Sequence, residues 1–426
     1  MTMEKVYAYL AQNRASKRKE NLNRLEELLK RLGNPHKNIN YIHITGSNGK
    51  GSTAAMFQSV LREANLDVGL FTSPHLEKIN ERIRVNDLLI TNEELIRFVN
   101  KIEPIVLKLE AEIQEKFYAF ELITAISFLY FQEKETDLVI LEVGVGGRLD
   151  ATNVIEESEL AVITSIGIDH SKTLGETKEA ILKEKVQILK KNGQMVIGPL
   201  RKNLKKIALN WAQKVDGEIH FVELDEIKNT ENKKNYQLFD YKSYQNIELG
   251  FLGKHQLENA ALVIEGIEIL REKSYPIKER DLYQGLSKVK WPGRFEKISD
   301  SPLFYIDGAH NLASVDRLVE SLKELFPKKK FHFVVGMMKD KDYEKMLEKV
   351  YSLAKEFILI SPDPNRGFDL DEVSRLIKAK NIPVRKVEDM KELKSYMNEQ
   401  INQDEIIIQF GSLYLVGALK REQSIF

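Results

Sequence analysis

The segment NYIHITGSNGKGST, residues 40–53, constrains the fold more than any other part of the chain. An apolar, β-rich run leads into a glycine-rich loop, and a helix-forming segment from Ser52 to Arg62 follows. This order brings backbone N–H groups and the positive end of a helix dipole to one place, where a phosphate can bind. Lys50 would add a positive charge there. The predicted phosphate-binding residues are Thr45, Gly46, Ser47, Asn48, Gly49, Lys50, Gly51 and Ser52.

The loop departs from the strict phosphate-loop motif G-x-x-x-x-G-K-[ST]. Ile44 stands where the first glycine would be, and Gly51 replaces the hydroxyl residue expected after the lysine. Another residue is therefore expected to help hold a metal ion. The alternative is a glycine-rich turn with Lys50 as a solvated surface charge, but a strand before the loop and a helix after it favour phosphate binding.

The composition limits the number of domains and the classes of partner. A chain of 426 residues exceeds one ordinary hydrophobic core, so two domains are expected, or three. Lys plus Arg and Asp plus Glu both number 64, so no net field favours nucleic acid or an anionic membrane. The chain has no cysteine, which excludes disulfides and thiolate metal sites. No run of 18 apolar residues occurs, and we expect a soluble, cytoplasmic monomer without membrane contact.

Three further predicted strands each lead into a polar loop. The strand and loop pairs are 67–71 with Thr72-Ser73-Pro74-His75, 137–143 with Gly144–Asn153, and 160–166 with Gly167–His170. Ligands bind at the carboxyl ends of strands in open parallel sheets. Glu142, near a strand end beside the phosphate loop, suits Mg²⁺, and Arg148 suits an acidic or phosphate group. As alternatives, Ser73-Pro74 is ordinary turn chemistry, Arg148 is an exposed loop arginine, and His170 is a core or surface histidine.

The other elements of this region are predicted from periodicity. Helices are expected over 3–12, 20–32, 92–114, 119–132 and 178–191, and another is expected to open near Leu252–Ala260. The helix over 178–191 carries Glu184 and Lys185. Residues 201–250 are polar, and we expect them to form a peripheral β-meander without chemistry of its own.

The segment Trp291–Glu296 interrupts the helical pattern with Pro and Gly and is the predicted domain boundary. Strands are expected after it near 303–306, 331–335, 356–360, 383–386 and 405–410, with helices between them. Three of these strands lead into polar loops, at 307–311, 336–342 and 411–414. The fold class predicted is α/β, with a parallel-sheet ATPase domain of the phosphate-loop type over residues 1–295 and a smaller Rossmann-like α/β domain over residues 296–426.

The motifs of the chain, in order, are TGSNGKGS, TSPHL, EVGVGGRLDATN, SIGIDH, LGKHQLENA, WPGRFE, DGAHN, GMMKDKD and GSLYLVG. Together they resemble the folylpolyglutamate synthases, including the bifunctional dihydrofolate synthases, of the Mur ligase superfamily. The resemblance covers nearly the whole chain. Ser47 stands where the family usually has Thr, Val186-Gln187 where it usually has Ala-Gly, and Leu312 where it often has Pro. The second departure lies on the helix that carries Lys185.

The resemblance implies a reaction. ATP phosphorylates a carboxylate, and an amine then displaces phosphate to give an amide. The carboxylate would be the γ-carboxyl of a folate's glutamate tail, and the amine that of L-glutamate. A bifunctional member would also join dihydropteroate to its first glutamate. ATP and Mg²⁺ are the implied cofactors, and positioning with charge neutralisation supplies most of the catalysis in phosphoryl transfer.

The resemblance also implies roles for individual residues. Ser73 and Glu142 would hold a first Mg²⁺, His170 would hold a second, and Lys185 would be carbamylated and act as a further metal ligand. ATP contacts are expected from Asn259, Arg294, Asp307 and His310, the last two from the second domain. The expected substrate-binding residues are Ser73, Pro74, His75, Phe120, Asp150 and Thr152. The expected catalytic residues are Lys50, Arg148, His170 and Lys185. Phe120 as a core aromatic, and Lys185 in an ordinary ion pair with a carboxylate, are the alternatives.

Two other functions are considered. Another Mur-type amino-acid ligase, acting on a UDP-linked acceptor, would carry an additional N-terminal domain, and only about forty residues precede the loop here. A nucleotide-switch protein that forms no bond would leave the three polar loops of the second domain without a purpose. The use of dihydropteroate, the polyglutamate length, the preferred folate and the oligomeric state stay open.

Overall fold

The structure, a computed structural model, describes residues 2–12, 21–363 and 366–422. The chain divides into two compact units, and each takes more than one segment. The first unit consists of Met1–Asn229, Phe239–Glu248 and Glu258–Val289. The second consists of Thr230–Leu238, Leu249–Leu257 and Lys290–Phe426. The domain boundary between residues 295 and 296 stays a prediction.

An eight-stranded sheet forms the first unit. Its strands are β1 Tyr41–Thr45, β2 Val68–Phe71, β3 Ile83–Val85, β4 Leu88–Leu89, β5 Leu138–Glu142, β6 Leu160–Ile163, β7 Gln194–Ile197 and β8 Glu218–Phe221. Their order is β4-β3-β2-β5-β1-β6-β7-β8. The six strands from β2 to β8 in this order pair in parallel, and β3 and β4 add an antiparallel edge. Because β1, β5 and β6 are buried throughout, they consist mainly of apolar residues.

Helices cover this sheet and bury the apolar side chains that recur at helical spacing, such as Leu25, Leu28 and Leu29. Most of them belong wholly to the first unit, and α9 contributes residues to both units. The helices are α1 Met3–Gln12, α2 Asn23–Arg31, α3 Lys50–Glu63, α4 Asn92–Ile113, α5 Ala119–Glu133, α6 Ser171–Leu174, α7 Lys178–Lys185, α8 Lys202–Lys214, α9 Lys254–Glu272 and α10 Glu279–Lys288.

The β-meander prediction for residues 201–250 is wrong in its first part. Residues 202–214 form α8, which buries Leu204, Ala208 and Ala212 at a spacing of four. Strand β8 joins the large sheet. Only the remainder forms a separate three-stranded sheet, whose strands are β9 Ile227–Asn232, β10 Gln237–Tyr241 and β11 Tyr244–Leu249.

Two predicted elements end earlier than expected. The helix predicted over 178–191 ends at Lys185, and a 3₁₀ turn, Val186–Ile188, follows it. The strand predicted over 160–166 ends at Ile163, so residues 164–166 belong to the loop that follows.

The second unit contains a six-stranded sheet. Its strands are β12 Glu296–Asp300, β13 Leu303–Ile306, β14 Phe331–Val335, β15 Ala354–Leu359, β16 Val384–Lys386 and β17 Ile406–Phe410. Their order is β12-β13-β17-β14-β15-β16, with β12 antiparallel to β13 and the other pairs parallel. The helices are α11 Leu312–Leu325, α12 Tyr343–Val350, α13 Leu370–Lys378, α14 Met390–Gln400 and α15 Leu413–Arg421. The sequence did not predict β12, because its residues EKISD are polar and lack alternation.

These sheets confirm the predicted α/β class with parallel sheets in two units. In the first unit, the carboxyl ends of β1, β2, β5 and β6 lie along one edge, because these strands are neighbours and parallel. The loops that follow these strands hold many of the predicted site residues. Among the helices described, none is both long and apolar enough to cross a membrane.

Candidate active site

The phosphate loop joins β1 to α3, and Lys50 is the first residue of that helix. Gly46 has φ +155°, and a Cβ there would lie 1.8 Å from Thr164 Oγ1. Gly49 has φ +90°, and a Cβ there would lie 2.6 Å from Asn259 Oδ1. Both glycines are therefore required by backbone conformation and by close neighbours. The second contact also places Asn259, a predicted ATP residue, beside the loop.

The loop after β6 holds the phosphate loop in shape. Asn48 N donates to Ser165 Oγ over 3.0 Å, and Thr164 Oγ1 donates to Asn48 O over 2.6 Å. Ser47 N donates to Ser165 O over 2.9 Å, and Ser47 Oγ donates to Gly167 O over 2.8 Å. These bonds fix the backbone that a phosphate would approach. Sequence reasoning missed Thr164 and Ser165 as supports, although their position at a strand end was a usable signal.

The ends of β2 and β5 bring Ser73 and Glu142 together. Ser73 N donates to Glu142 Oε2 over 3.1 Å, and Glu142 is only 5 % exposed. A serine hydroxyl and a carboxylate offer the hard oxygen ligands that Mg²⁺ prefers. In residues 2–12, 21–363 and 366–422, no three His, Cys, Asp or Glu side chains gather as a metal cage.

Lys185 ends α7 and is 4 % exposed. Its Nζ donates to Thr45 Oγ1 over 3.4 Å, and no carboxylate of the described segments forms an ion pair with it. Burial, and then the charge of Lys50, lower its pKa to about 7, while Asp169 and Asp150 act in the opposite direction. The neutral amine is therefore well populated at neutral pH. The ion-pair alternative for Lys185 does not describe this arrangement.

Arg148 contacts α7 at Glu184, the residue that precedes Lys185. Its Nη2 contacts Glu184 Oε1 at 3.1 Å, and its backbone N donates to Glu184 O over 3.0 Å. A Cβ at Gly147 would lie 2.7 Å from that same oxygen, so the loop packs closely on the helix. The structure thus places Arg148 in a salt bridge with Glu184, a partner the sequence did not predict. Its catalytic role stays a prediction.

The predicted substrate residues lie in the loop after β2, at the start of α5 and in the loop 144–153. The Phe120 ring is partly buried, with its centroid 5.6 Å from that of Phe71. A Cβ at Gly144 would lie 2.8 Å from Phe120 Cζ. His75 Nδ1 accepts a hydrogen bond from Arg82 Nε over 2.9 Å. Burial, and then the Arg82 charge, lower the pKa of His75 to about 4.

Asp150 and Thr152 are both buried, and Thr152 has no exposed surface in this conformation. Their side chains bond to each other through Thr152 Oγ1 and Asp150 Oδ1 at 2.7 Å. Pro74, in contrast, is exposed beside Ser73. Direct contact of any of these residues with substrate stays a prediction.

His170 lies in the loop after β6, exposed, with φ +50° at the start of α6. Its backbone N donates to Asp169 Oδ1 over 2.8 Å. The negative charge of Asp169 opposes the lowering of the Lys185 pKa, but it does not outweigh the effect of burial. Asp169 belongs to the predicted loop Gly167–His170 but was not predicted as a site residue.

Three predicted ATP residues lie together within the second unit. Asp307 Oδ2 accepts from Phe295 N over 2.8 Å. His310 Nδ1 donates to Gly308 O over 2.7 Å, and a Cβ at Gly308 would lie 2.5 Å from Arg294 Nη1. Burial raises the pKa of Asp307, and the Arg294 charge opposes that shift. The loop after β13 therefore carries a carboxylate and an imidazole, and the guanidinium of Arg294, from the segment before β12, lies beside that loop.

Two known protein-family models match this chain. The Mur ligase middle domain matches residues 44–265, and the Mur ligase glutamate ligase domain matches residues 293–413. A dihydrofolate synthase/folylpolyglutamate synthase of Bacillus subtilis is 35 % identical over 416 residues, 95 % of each chain.

Solved structures agree with this assignment. Folylpolyglutamate synthase of Mycobacterium tuberculosis, complexed with ADP and AMPPCP, matches with a TM-score of 0.88 at 26 % identity, over 99 % of this chain and 98 % of that one. A folylpolyglutamate synthase–AMPPCP–folate complex matches with a TM-score of 0.86 at 29 % identity over the whole of both chains. The resemblance drawn from the motifs is confirmed. This chain belongs to the Mur ligase family, in the group of the folylpolyglutamate and dihydrofolate synthases.

Proposed function

We propose that this protein is the ATP-dependent ligase that adds L-glutamate to the γ-carboxyl of folates. The observation that carries this proposal is the convergence of four strand-end loops in the first unit. The glycine-rich loop and the buried carboxylate of Glu142 lie at this edge of the sheet. The buried Lys185, which ends α7, lies 3.4 Å from Thr45 Oγ1 at the end of β1. Acyl-phosphate chemistry needs this combination of phosphate binding, metal binding and fixed charge.

The reaction balances in two steps. A carboxylate oxygen of the folate tail attacks the γ-phosphorus of ATP, the bond to the β–γ bridging oxygen breaks, and ADP leaves. The amine of L-glutamate then attacks the acyl carbon, loses a proton, and displaces inorganic phosphate. Lys50 would neutralise charge on the transferring phosphoryl group, and the N–H groups of the phosphate loop would orient it. Arg148, held by Glu184, would face the acidic groups of the substrates.

Mg²⁺ fits the donors of this site. Ser73 and Glu142 supply oxygen ligands, and His170 supplies an imidazole. Lys185 fits only as a carbamate, formed when its neutral amine reacts with CO₂ and releases a proton, because an ammonium would repel the metal. When bound, Mg²⁺ would neutralise charge on the phosphates.

Further parts of the proposal rest on the motifs. Asn259, Arg294, Asp307 and His310 would contact ATP. L-Glutamate would be the second substrate, and the enzyme would work as a cytoplasmic monomer. Residues 1–295 and 296–426 would be the two domains.

A second activity, joining dihydropteroate to its first glutamate, is favoured by the name of the Bacillus subtilis relative. It would use the same site, because only the acceptor carboxylate changes. Other amino-acid ligases and a bond-free nucleotide switch are the competing functions.

An ADP-release assay tests the proposal. We expect ADP only when ATP, Mg²⁺, L-glutamate and a folate are all present, and none when a UDP-linked acceptor replaces the folate. Replacing the folate with dihydropteroate tests the second activity. ADP release that depends neither on folate nor on glutamate would refute the proposed function.

A further inference from the structure

His43 is a buried side chain that the proposed chemistry does not use. It lies in the central strand β1, two residues before Thr45, and is 0 % exposed. Its Nε2 lies 2.8 Å from Thr152 Oγ1. Thr152 belongs to a 3₁₀ turn, Ala151–Val154, at the end of the loop that follows β5. The contact therefore joins the strand that leads into the phosphate loop to the candidate substrate-binding loop 144–153.

The direction of this hydrogen bond follows from its neighbours. Thr152 Oγ1 has one proton, and it donates that proton to Asp150 Oδ1 over 2.7 Å. The hydroxyl can then only accept from His43, so the histidine proton must be on Nε2. Nδ1 of His43 is buried and has no partner among the residues described, as expected for the unprotonated ring nitrogen.

The carboxylate of Asp150 also accepts hydrogen bonds from other parts of the loop. Its Oδ1 also accepts from Thr152 N, and its Oδ2 accepts from Val145 N, each over 3.0 Å. One carboxylate therefore ties the start of the loop to its end. The loop packs tightly at Gly144, because a Cβ there would lie 2.8 Å from Phe120 Cζ and 3.2 Å from Asp150 Oδ2.

A second group holds the same turn. Lys190 Nζ donates to Asn153 O over 3.0 Å. Burial, and then the charge of Lys190, lower the pKa of His43 to about 3. The His43 ring therefore stays neutral near neutral pH, and its Nε2–H stays available as a donor.

We propose that His43 is a positioning residue for folate, which holds Thr152, and through it Asp150, in the orientation that the loop 144–153 needs to bind the substrate. The proposal rests on the proposed function, because folate is the substrate proposed there and Asp150 and Thr152 are substrate-binding residues that the motif resemblance implies. His43 does not contact the substrate itself. It acts on the loop through its hydrogen bond to Thr152 and the hydrogen bond from Thr152 to Asp150.

Kinetics of three variants test the proposal. His43→Leu removes the donor, whereas His43→Gln keeps an N–H near the position of Nε2. Losing one buried hydrogen bond and leaving its partner unsatisfied corresponds to a change on the order of tenfold. We expect His43→Leu to raise the KM for folate about tenfold and leave the KM for ATP unchanged, and His43→Gln to recover most of the loss.

The matched control is His36→Leu. His36 is another buried histidine of the first unit, with its ring centroid 5.7 Å from that of Phe128, outside the loop. It should leave the KM for folate unchanged. An unchanged KM for folate in His43→Leu would overturn the proposal. Equal rises in both KM values, without recovery in His43→Gln, would overturn it as well.

Two measurements do not depend on activity and so separate this proposal from the proposed function. Trypsin should cleave the Arg148–Leu149 bond several-fold faster in His43→Leu than in the wild type, and no faster in His36→Leu. ¹⁵N NMR of histidine-labelled wild-type protein should show His43 as the neutral Nε2–H tautomer, assigned by its loss in His43→Gln. An Nδ1–H tautomer would overturn the proposal even if the His43→Leu variant failed to fold. Absence of folate turnover in the wild type would instead refute the proposed function.

Discussion

The backbone N–H of Ser73 donates a hydrogen bond to Oε2 of Glu142 over 3.1 Å. This bond joins the ends of two neighbouring parallel strands, β2 and β5. One carboxylate oxygen of Glu142 is thereby held by the backbone, which fixes the orientation of the other. Two residues about seventy positions apart in the sequence thus form one unit beside the phosphate loop.

The substitution Glu142→Gln tests the metal role of this pair. Glutamine keeps an oxygen that can accept from Ser73 N, but it lacks the negative charge that attracts Mg²⁺. We expect the Mg²⁺ concentration for half-maximal activity to rise at least about tenfold, with unfolding temperature little changed, and EDTA to abolish wild-type activity. The measurement is ADP release against MgCl₂ concentration. Superimposable Mg²⁺ curves for the two proteins would remove Glu142 from the metal site.

The substitution Lys50→Ala tests the phosphate loop. The variant should fold, because Lys50 is partly exposed and its Nζ donates only to Gly46 O within the described structure. Loss of one fixed charge at a developing negative charge typically costs about 10²–10³ in kcat. Lys214→Ala, on the exposed face of α8, is the matched control and should keep wild-type turnover. Near-wild-type turnover of Lys50→Ala would exclude the loop from the chemistry.

Carbamylation of Lys185 is tested by ¹³C NMR in ¹³C-labelled bicarbonate. The low exposure of Lys185 and its pKa of about 7 favour the neutral amine that reacts with CO₂. We expect a carbamate signal in wild type and in Lys190→Arg, but not in Lys185→Ala. Lys185→Ala should lose activity, and an added short carboxylic acid should restore part of it. A bare ammonium at Lys185 in the presence of Mg²⁺ and nucleotide would contradict this prediction.

The pH dependence of stability is expected to reflect His43. The ordinary pKa of histidine is about 6.5, and burial lowers it to about 3 here. Between these values the unfolded chain binds a proton that the folded chain does not, so stability present above pH 6.5 is lost as the pH falls. The loss approaches about 1.4 kcal/mol per pH unit for one proton.

His43→Gln removes this group, so its unfolding temperature should fall less between pH 7 and pH 5 than that of the wild type. Thermal unfolding of both proteins at the two pH values checks this. If the unfolding temperatures of the two proteins fall equally between pH 7 and pH 5, His43 does not cause the pH dependence of stability.

The sequence predicted the elements that carry the chemistry because their signals are local. Glycines at 46 and 49 follow an apolar strand and precede a helix, and Glu142 ends a continuous apolar run. Strand-end positions then place these residues on one edge of the sheet. The parallel strands of the second unit followed from the same alternation of apolar and helical segments.

What the sequence did not predict depends on contacts between distant segments. The bond between His43 and Thr152 spans 109 positions, and the pairing of Arg148 with Glu184 spans 36. No local pattern marks either pair. Strand β12 escaped prediction because it pairs antiparallel with β13 at an edge of the sheet, where polar side chains are tolerated. Helix α8 was missed because its short apolar residues, Ala208 and Ala212, make a weak periodic signal.

Mass spectrometry of the folate, after incubation with the protein, ATP, Mg²⁺ and isotopically labelled L-glutamate, tests directly whether the protein joins glutamate to folate. We expect a folate that carries labelled glutamate in γ-linkage, with one ADP and one phosphate formed for each glutamate added. ADP formation with an unmodified folate, or labelled glutamate attached through the α-carboxyl, would contradict it.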